Sequence, residues 1–384
     1  MGCGAVAVGT NGRDETGNVG RGETIPAGSD GLRPVSVSHA RKGPAKTADV
    51  NIRDIAATAG VSIATVSRVM RGNAKVSDVT RAKVERAVET FGYVPNAHAR
   101  ALTTPPNSVA LVMREITGGA YADMAAALAD ETIRRGKTFR LIATGGTQVD
   151  AHAVLTDLLA QRPRVAVIVA DDDPGAIRDT DLNEYVDRFA SMGTSLVAMA
   201  RPRLGLDPRI GVVDYANETG TYAATRYLIS LGHRDMLFVG VREGSAVFTQ
   251  RYRGFLRALD EAGIAHDPAG DLPFAADRTA DQAAVAGRWR SGRRFTAVVG
   301  VTDVAALDAI VALRSAGVDV PRDVSVVGFD DMPFAGDLIV PLTTVHVPFA
   351  DMGVAAVRMG LDGGDDVTIP AGLVVRRSTA PVRA

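Results

Sequence analysis

Short apolar runs alternate with amphipathic segments along most of the chain beyond residue 107. The runs lack polar interruption, which is typical of strands buried on both faces, and the segments between them have helical periodicity. This order predicts a doubly wound α/β core with parallel sheets. The predicted strands are 109–113, 139–143, 165–169, 195–199, 210–213, 236–239, 297–300 and 324–329, and the predicted helices are 121–135, 151–161, 182–192, 218–231, 249–262, 281–290 and 304–316.

The number of predicted strands is large for one sheet. We therefore expect two α/β subdomains that flank a ligand cleft, with binding at the carboxyl ends of the strands. The segment 214–217 (Asp-Tyr-Ala-Asn) is expected to be a crossover between them, with Asn217 capping the next helix.

Residues 51–92 have a different pattern, that of three short helices. The first is capped by Asn51 and ends at Gly60, and Ser62 caps the second. A third helix runs from Ser77 or Asp78 to a C-cap at Gly92. Together they predict a compact three-helix bundle. The apolar face of the third helix is expected to consist of Val79, Val84, Ala87, Val88 and Phe91.

The remaining segments are expected to be a tail and a linker. Residues 1–47 are rich in Gly, Ser, Pro and Thr without hydrophobic periodicity, which is typical of disorder. Prolines at 105 and 106 end a short possible helix. The expected organisation is a tail at 1–47, the three-helix bundle at 48–94, a linker at 95–106 and a core at 107–384, whose subdomains are 107–213 with 346–365 and 214–345 with 366–384.

Composition narrows the classes of protein. The 384 residues are 46% hydrophobic, which allows two or three domains, and there is neither a membrane-length apolar stretch nor an export signal. One cysteine, Cys3, excludes an intrachain disulfide and a cysteine-built zinc site. We expect a cytoplasmic protein without a cofactor. The net charge is −1, but residues 48–104 carry eight basic and five acidic side chains, so only this region suggests a polyanion partner.

The first two predicted helices have the features of a helix-turn-helix. Small residues at Ala56 and Gly60 permit close crossing and a sharp turn. The second helix would present its N-terminal residues to base edges, with Arg68 suited to guanine and apolar side chains suited to thymine methyl groups. A helical hairpin with solvated arginines is the alternative. The candidate DNA contacts here are Ile63, Ala64, Thr65, Ser67, Arg68 and Arg71, with Asn51, Lys75 and Ser77 as further phosphate contacts.

The chain resembles the lactose-repressor/galactose-repressor (LacI/GalR) family of bacterial transcription regulators. The segments that carry the resemblance are IRDIAATAGVSIATVSRVMRG, KVSDVTRAKVERAVETFGYVPNAHARAL, LGHRDMLFVG, RYRGFLRALDEAGI, VPRDVSVVGFDD and PLTTV. They extend from about residue 50 to residue 379. The resemblance implies a helix-turn-helix bundle followed by a periplasmic-binding-protein-like core of two doubly wound subdomains.

The resemblance also implies a hinge helix at 97–102 that enters the minor groove when operator DNA binds. Leu102 would be the wedge between base steps, with Ala99 and Arg100 beside it. Docking of Leu102 on the core is the alternative.

Two residues are implied as the main effector contacts, Arg251 in the RxxG helix and Asp330 after the VVGFDD strand. Both suit bidentate hydrogen bonding to vicinal sugar hydroxyls, and each could instead be a structural ion-pair partner. The chain departs from the family at 302–303, where Thr-Asp replaces the common Asn-Asp, and in the loop after the first strand. Further candidates are Ser245, Phe248, Arg201, Thr302 and Asp303.

The sequence therefore predicts a repressor, acting as a homodimer on a pseudo-palindromic operator in double-stranded DNA and controlled by a small-molecule effector, a carbohydrate by family precedent. An enzyme is the first alternative, but no catalytic motif is present and the six histidines form no catalytic pattern. A periplasmic sugar-binding protein is the second, and the helix-turn-helix argues against it.

Overall fold

The computed structural model describes residues 51–70, 76–93, 106–114, 119–145, 150–169, 176–275, 277–292 and 294–382. The chain divides into two compact units, Met1–Val94 and Pro95–Ala384. Within the described segments, no helix is long and apolar enough to cross a membrane.

The described residues of the first unit, 51–70 and 76–93, form three helices, α1 (Ile52–Ala59), α2 (Ile63–Met70) and α3 (Asp78–Phe91). Asn51 caps α1 as expected, since its Oδ1 accepts the Arg53 amide at 2.8 Å while its own amide donates to Asp54 Oδ2 at 2.8 Å. Gly60 then takes a φ of +66°, which glycine adopts without a Cβ penalty, and the chain turns sharply into α2.

The core of this unit differs in part from the expected one. Val84 and Ala87 of α3 are buried, and Val88 packs against them from the margin. Val79 and Phe91 were predicted inward-facing, and this is wrong, because they are 68% and 41% exposed. Val79 lies five residues before Val84, about 140° around the helix, and Phe91 lies in the last turn, at the end of the bundle. The buried core is Ile55, Ala56, Ala59, Val66, Val69, Val84 and Ala87.

The second unit is built from strands and helices in alternation. Its strands are β1 (Ser108–Met113), β2 (Thr138–Ala143), β3 (Val165–Val169), β4 (Ser195–Met199), β5 (Gly211–Tyr215), β6 (Met236–Val241), β7 (Leu272–Pro273), β8 (Ala297–Gly300), β9 (Ser325–Asp330), β10 (Thr343–His346), β11 (Val367–Ile369) and β12 (Gly372–Val374). Its helices are α4 (Gly119–Arg134), α5 (Ala151–Gln161), α6 (Asp179–Ser191), α7 (Asn217–Ser230), α8 (Ala246–Glu261), α9 (Arg278–Arg290), α10 (Asp303–Ser315), α11 (Phe334–Asp337) and α12 (Phe349–Asp362), with a 3-10 turn at Pro268–Gly270.

The strands form two six-stranded sheets. The first has the order β11-β5-β4-β3-β1-β2 and is parallel throughout. The second has the order β12-β10-β9-β8-β6-β7, and only the β10–β12 pair is antiparallel. Every residue of β1 and β3 is buried, as the unbroken apolar runs predict.

All the strands and helices predicted from periodicity in the core are present, with small shifts at their ends. The prediction did not extend to the short strands β7, β10, β11 and β12, nor to α11 and α12. These short strands offer too few residues for a period to be recognised.

The chain crosses between the sheets at residue 216, at 347–348 and at 370–371. The expected subdomain limits differ from these points. β5 extends to Tyr215, and β11 pairs with β5 through Val367 to Ile369, so residues 366–369 lie with the first sheet and not with the second. Strand pairing on an edge, which periodicity does not reveal, sets this limit.

Candidate functional site

The second helix of the first unit exposes the side chains proposed to contact bases. Ile63, Ala64 and Arg68 are exposed, whereas Val66 and Val69 on the opposite side are buried in the bundle. Thr65 and Ser67 are half-buried. An exposed isoleucine and an exposed arginine on one short helix form a surface that combines apolar contact with guanidinium donors.

Three polar candidates in this unit form helix caps or cap contacts. Asn51 caps α1, as described above. Ser77 Oγ lies 2.9 Å from Thr80 Oγ1 and caps α3. Thr65 lies in the first turn of α2, where its amide donates to Ser62 Oγ at 3.1 Å and its hydroxyl contacts the same atom at 2.9 Å. Helix N-termini present unpaired backbone amides, which are suitable donors for phosphate oxygens.

Arg71 and Lys75, and the hinge candidates Ala99, Arg100 and Leu102, lie outside the described residues. Their assignments remain predictions.

Arg251 is the centre of the polar cluster at the carboxyl edge of the second sheet. It lies in the second turn of α8 and is 3% exposed. Its Nε donates to Asn217 Oδ1 at 2.9 Å, and its Nη1 donates to the Val301 carbonyl at 2.6 Å. Its Nη2 donates to the Tyr215 hydroxyl at 2.7 Å and to Asp330 Oδ1 at 2.8 Å. The guanidinium also lies 3.8 Å from the centroid of the Phe329 ring. These contacts fix the plane of the guanidinium group.

Asp330 ends β9 and forms the ion pair with Arg251. Its side chain is 16% exposed, and Oδ2 has no hydrogen bond to the described part of the chain. Burial raises the pKa of Asp330, and the nearby Arg251 charge opposes that rise. Asp330 and Asp331 have φ values of +111° and +54°, which non-glycine residues rarely adopt. Backbone strain of this kind concentrates at functional sites.

Asp303 lies behind Asp330 and is fully buried. Its Oδ1 accepts from the Thr344 hydroxyl at 2.5 Å and its Oδ2 from the Met332 amide at 2.7 Å. Gly328 makes room for it, since a Cβ there would lie 2.2 Å from Asp303 Oδ1. Burial and the charge of Asp330 raise the pKa of Asp303 to about 7. Asp303 thus ties the loop after β9 to β10.

The other predicted cleft residues of the second sheet begin helices or pack near their starts. Thr302 caps α10 through Oγ1, which accepts the Ala305 amide at 3.2 Å. Ser245 caps α8 and is buried, with Oγ accepting the Phe248 amide at 3.0 Å. Phe248 is half-buried and packs edge-on against Phe274 at 5.3 Å. Each therefore has a structural contact in addition to its predicted role.

Arg201 follows β4, in the first sheet, and has partners of its own there. It pairs with Asp179 at the start of α6 and donates to the Ile177 carbonyl at 3.3 Å. Its Nε is buried and has no hydrogen bond to the residues that the structure describes. The structure brings Arg251, Asp330 and Asp303 together, whereas the contacts of Arg201 lie in the other subdomain.

Two residues that bond Arg251 were not predicted as site residues. Tyr215 ends β5, so its hydroxyl links the first sheet to the guanidinium. Asn217 was expected to cap α7, and this is wrong, because it is the first helical residue and its side chain bonds Arg251 and the Tyr215 carbonyl. The signal in the sequence is their place at the predicted crossover.

The cluster offers fixed donors and acceptors for hydroxyl groups. Among the residues that the structure describes, no group of three or more His, Cys, Asp or Glu could hold a metal ion. The chemistry that these side chains support is directional hydrogen bonding at a partly desolvated site.

Two family models match the chain. The model described as bacterial regulatory proteins, lacI family, matches residues 51–96. The model described as a periplasmic binding protein-like domain matches residues 225–383.

Similar proteins cover nearly the whole chain beyond the N-terminal segment. The HTH-type transcriptional regulator DegA of Bacillus subtilis is 31% identical over 344 residues, which are 86% of this chain and 98% of that protein. A solved complex of the transcriptional regulator CelR with cellobiose is 28% identical, covers 86% of this chain and 99% of its own, and has a TM-score of 0.62. The lac repressor dimer bound to operator and an anti-inducer is 24% identical over the same shares, and its TM-score of 0.70 shows a common fold.

Proposed function

Because this chain belongs to the lacI family of bacterial regulatory proteins, we propose that it is a sequence-specific DNA-binding repressor whose operator affinity a small carbohydrate controls. The observation that carries the proposal is the match of residues 51–96 to the family model. This segment contains α2, which exposes Ile63, Ala64 and Arg68. Its similar proteins are named as transcriptional regulators and not as enzymes. A bacterial protein that acts on operator DNA works in the cytoplasm.

In the proposed complex, α2 enters the major groove. Arg68 donates two hydrogen bonds to a guanine edge, and Ile63 and Ala64 contact thymine methyl groups. The amide-rich starts of α1 and α3, at Asn51 and Ser77, bind phosphates and fix the position of the bundle. Further contacts are assigned to Thr65 and Ser67 on α2, Arg71 and Lys75 after it, and Ala99, Arg100 and Leu102 in the hinge.

The proposed effector site is the cluster around Arg251 and Asp330. Asp330 Oδ2 has no partner in the described chain and accepts from a ligand hydroxyl, while Arg251, held by Asn217 and Tyr215, keeps the carboxylate in place. The complex of CelR with cellobiose supports a carbohydrate ligand. Asp303 acts as a positioning residue, because both its oxygens are engaged within the protein. Ser245, Phe248, Thr302 and Arg201 remain candidate wall residues.

Control of DNA binding follows from the three crossovers. A ligand that contacts residues of both subdomains favours one geometry of the cleft, and the crossovers transmit that geometry to both halves of the core. Tyr215 ends a strand of the first sheet and Arg251 lies on α8 of the second subdomain, so their hydrogen bond is sensitive to this change. We propose a homodimer whose two bundles bind the halves of a pseudo-palindromic operator.

Selection from a library of randomised duplex DNA tests the DNA-binding function. The full chain should enrich a sequence with two related half-sites, and the affinity for that sequence should fall steeply with salt concentration. The Arg68→Ala variant should fail to enrich it. Recovery of no common sequence by the wild-type protein would contradict the proposal.

A further inference from the structure

A second pocket lies at the end of the second sheet opposite to the effector site. It is a cavity of about 250 Å³ at the amino ends of β6 and β8, where Met236 and Phe295 form part of its wall. Asp330 ends β9, which runs parallel to β8. The length of the strands, about 15–20 Å, therefore separates the two sites.

Three arginines line this cavity, Arg234, Arg288 and Arg294. In the described part of the chain, none of them has a carboxylate within ion-pair distance, which is 4.0 Å. Arg257 and Arg278 of the same subdomain are paired, with Glu218 at 2.5 Å and Asp308 at 2.8 Å. Three guanidinium groups without an ion-pair partner in the described chain therefore line one cavity, together with the carboxylates of Asp235, Asp267 and Asp271.

Two of these arginines, Arg288 and Arg294, are held in place by contacts that use few of their N–H donors. The Arg294 guanidinium lies over the Trp289 ring, 4.5 Å from its centroid, and such stacking leaves the in-plane donors available. Arg288 Nη2 donates one long hydrogen bond, at 3.4 Å, to the Ala269 carbonyl. Both side chains are positioned and keep donors for a ligand.

The one buried carboxylate of the cavity is satisfied without the arginines. Asp271, whose side chain is 1% exposed, accepts from the Phe238 amide at 2.9 Å and from the Tyr252 hydroxyl at 2.6 Å. His266 Nε2 lies 2.8 Å from the same carboxylate. Since a carboxylate only accepts, Nε2 donates its hydrogen, and the contacts to this carboxylate come from within the protein.

We propose that this cavity binds a small organic dianion, a phosphate monoester or a dicarboxylate, through Arg234, Arg288 and Arg294. Guanidinium groups bind the planar or tetrahedral oxygens of such anions with paired hydrogen bonds. The exposed carboxylate of Asp235 also lines the cavity, so a ligand that carries hydroxyl groups beside its charge fits the wall better than a bare anion.

Calorimetric titration of the full chain with glucose 6-phosphate and with malate, a dicarboxylate, tests this proposal. At least one probe should bind saturably at one site per chain, and the Arg288→Ala and Arg294→Ala variants should each weaken it about tenfold or more. Arg314→Ala, an exposed arginine in the last turn of α10, is the matched control and should leave the affinity unchanged. Tighter binding of glucose 6-phosphate assigns the phosphate monoester, and tighter binding of malate assigns the dicarboxylate.

Absence of saturable binding of either probe would overturn the proposal. An equal loss in Arg314→Ala would overturn it as well, because the anion would then respond only to net charge. Binding that survives in Arg288→Ala and disappears in Asp330→Ala would place the anion in the effector site instead. None of these results bears on DNA binding, so the proposed function is tested separately.

Discussion

Removal of the Asp330 carboxylate should destabilise the core domain, because it leaves the charge of a buried arginine without its counter-ion. Arg251 is 3% exposed, and Asp330 is its only carboxylate partner among the described residues. Loss of one member of a buried pair costs about 3–5 kcal/mol. Asn217, Tyr215 and the Val301 carbonyl still bond Arg251, so we expect a somewhat smaller loss, about 2–4 kcal/mol, for Asp330→Ala.

The assay is thermal denaturation of the full chain followed by circular dichroism. A loss of about 2–4 kcal/mol corresponds to a decrease in Tm of about 5–12 °C for a domain of this size. Asp330→Asn keeps an acceptor and tolerates positive φ, so it should lose less. Glu218→Gln is the matched control, because its partner Arg257 is 39% exposed and such pairs contribute less than about 1 kcal/mol. A Tm for Asp330→Ala equal to that of the control would refute the reasoning.

Three further outcomes are expected. Arg68→Ala should weaken binding to a selected operator by about 1–3 kcal/mol and spare most binding to random duplexes, as measured by fluorescence anisotropy. Equal losses of affinity for the operator and for random duplexes would show that Arg68 contacts only phosphate. Burial raises the pKa of Asp303 to about 7, so between about pH 4 and pH 7 this carboxyl is protonated in the folded chain and ionised in the unfolded chain. The free energy of unfolding should therefore fall as pH rises through that window. Urea denaturation at pH 5 and pH 8 should show a smaller fall in Asp303→Asn, and an unchanged fall would contradict the assignment. Gly254→Ala should destabilise the fold by about 1–3 kcal/mol, because its Cβ would lie 2.1 Å from the Glu218 carbonyl oxygen. Gly287→Ala, whose Cβ would have no atom within 4 Å, should be neutral or stabilising by up to about 1 kcal/mol in the same denaturation assay. Equal effects of the two substitutions would contradict this packing argument.

Periodicity was sufficient to predict the layered core and the three-helix bundle. Unbroken apolar runs such as β1 and β3 are buried on both faces, and the predicted cap at Asn51 follows from local hydrogen bonding. A local sequence pattern does not show which distant segments of the chain pair with each other. For that reason the place of β11 beside β5, and thus the subdomain limit, was not predicted correctly.

The candidate site was predictable in part, for the same reason. Family resemblance pointed to Arg251 and Asp330, and the structure joins them in one ion pair. Tyr215 and Asn217 reach Arg251 across 36 and 34 positions of sequence, and no local signal distinguishes such a contact from helix capping. Arg201 shows the opposite case, since a charged residue at a strand end is held by its own neighbour, Asp179.

Affinity for a selected operator duplex, measured with and without a saturating sugar, tests the central claim most directly. Cellobiose, galactose, lactose and ribose are the first probes, and the one that raises the Tm of the protein is used. We predict that this sugar weakens operator binding at least about fivefold in the wild-type chain and has no effect in Asp330→Ala. An operator Kd that is the same with and without a sugar that demonstrably binds would contradict control of DNA binding by the effector site.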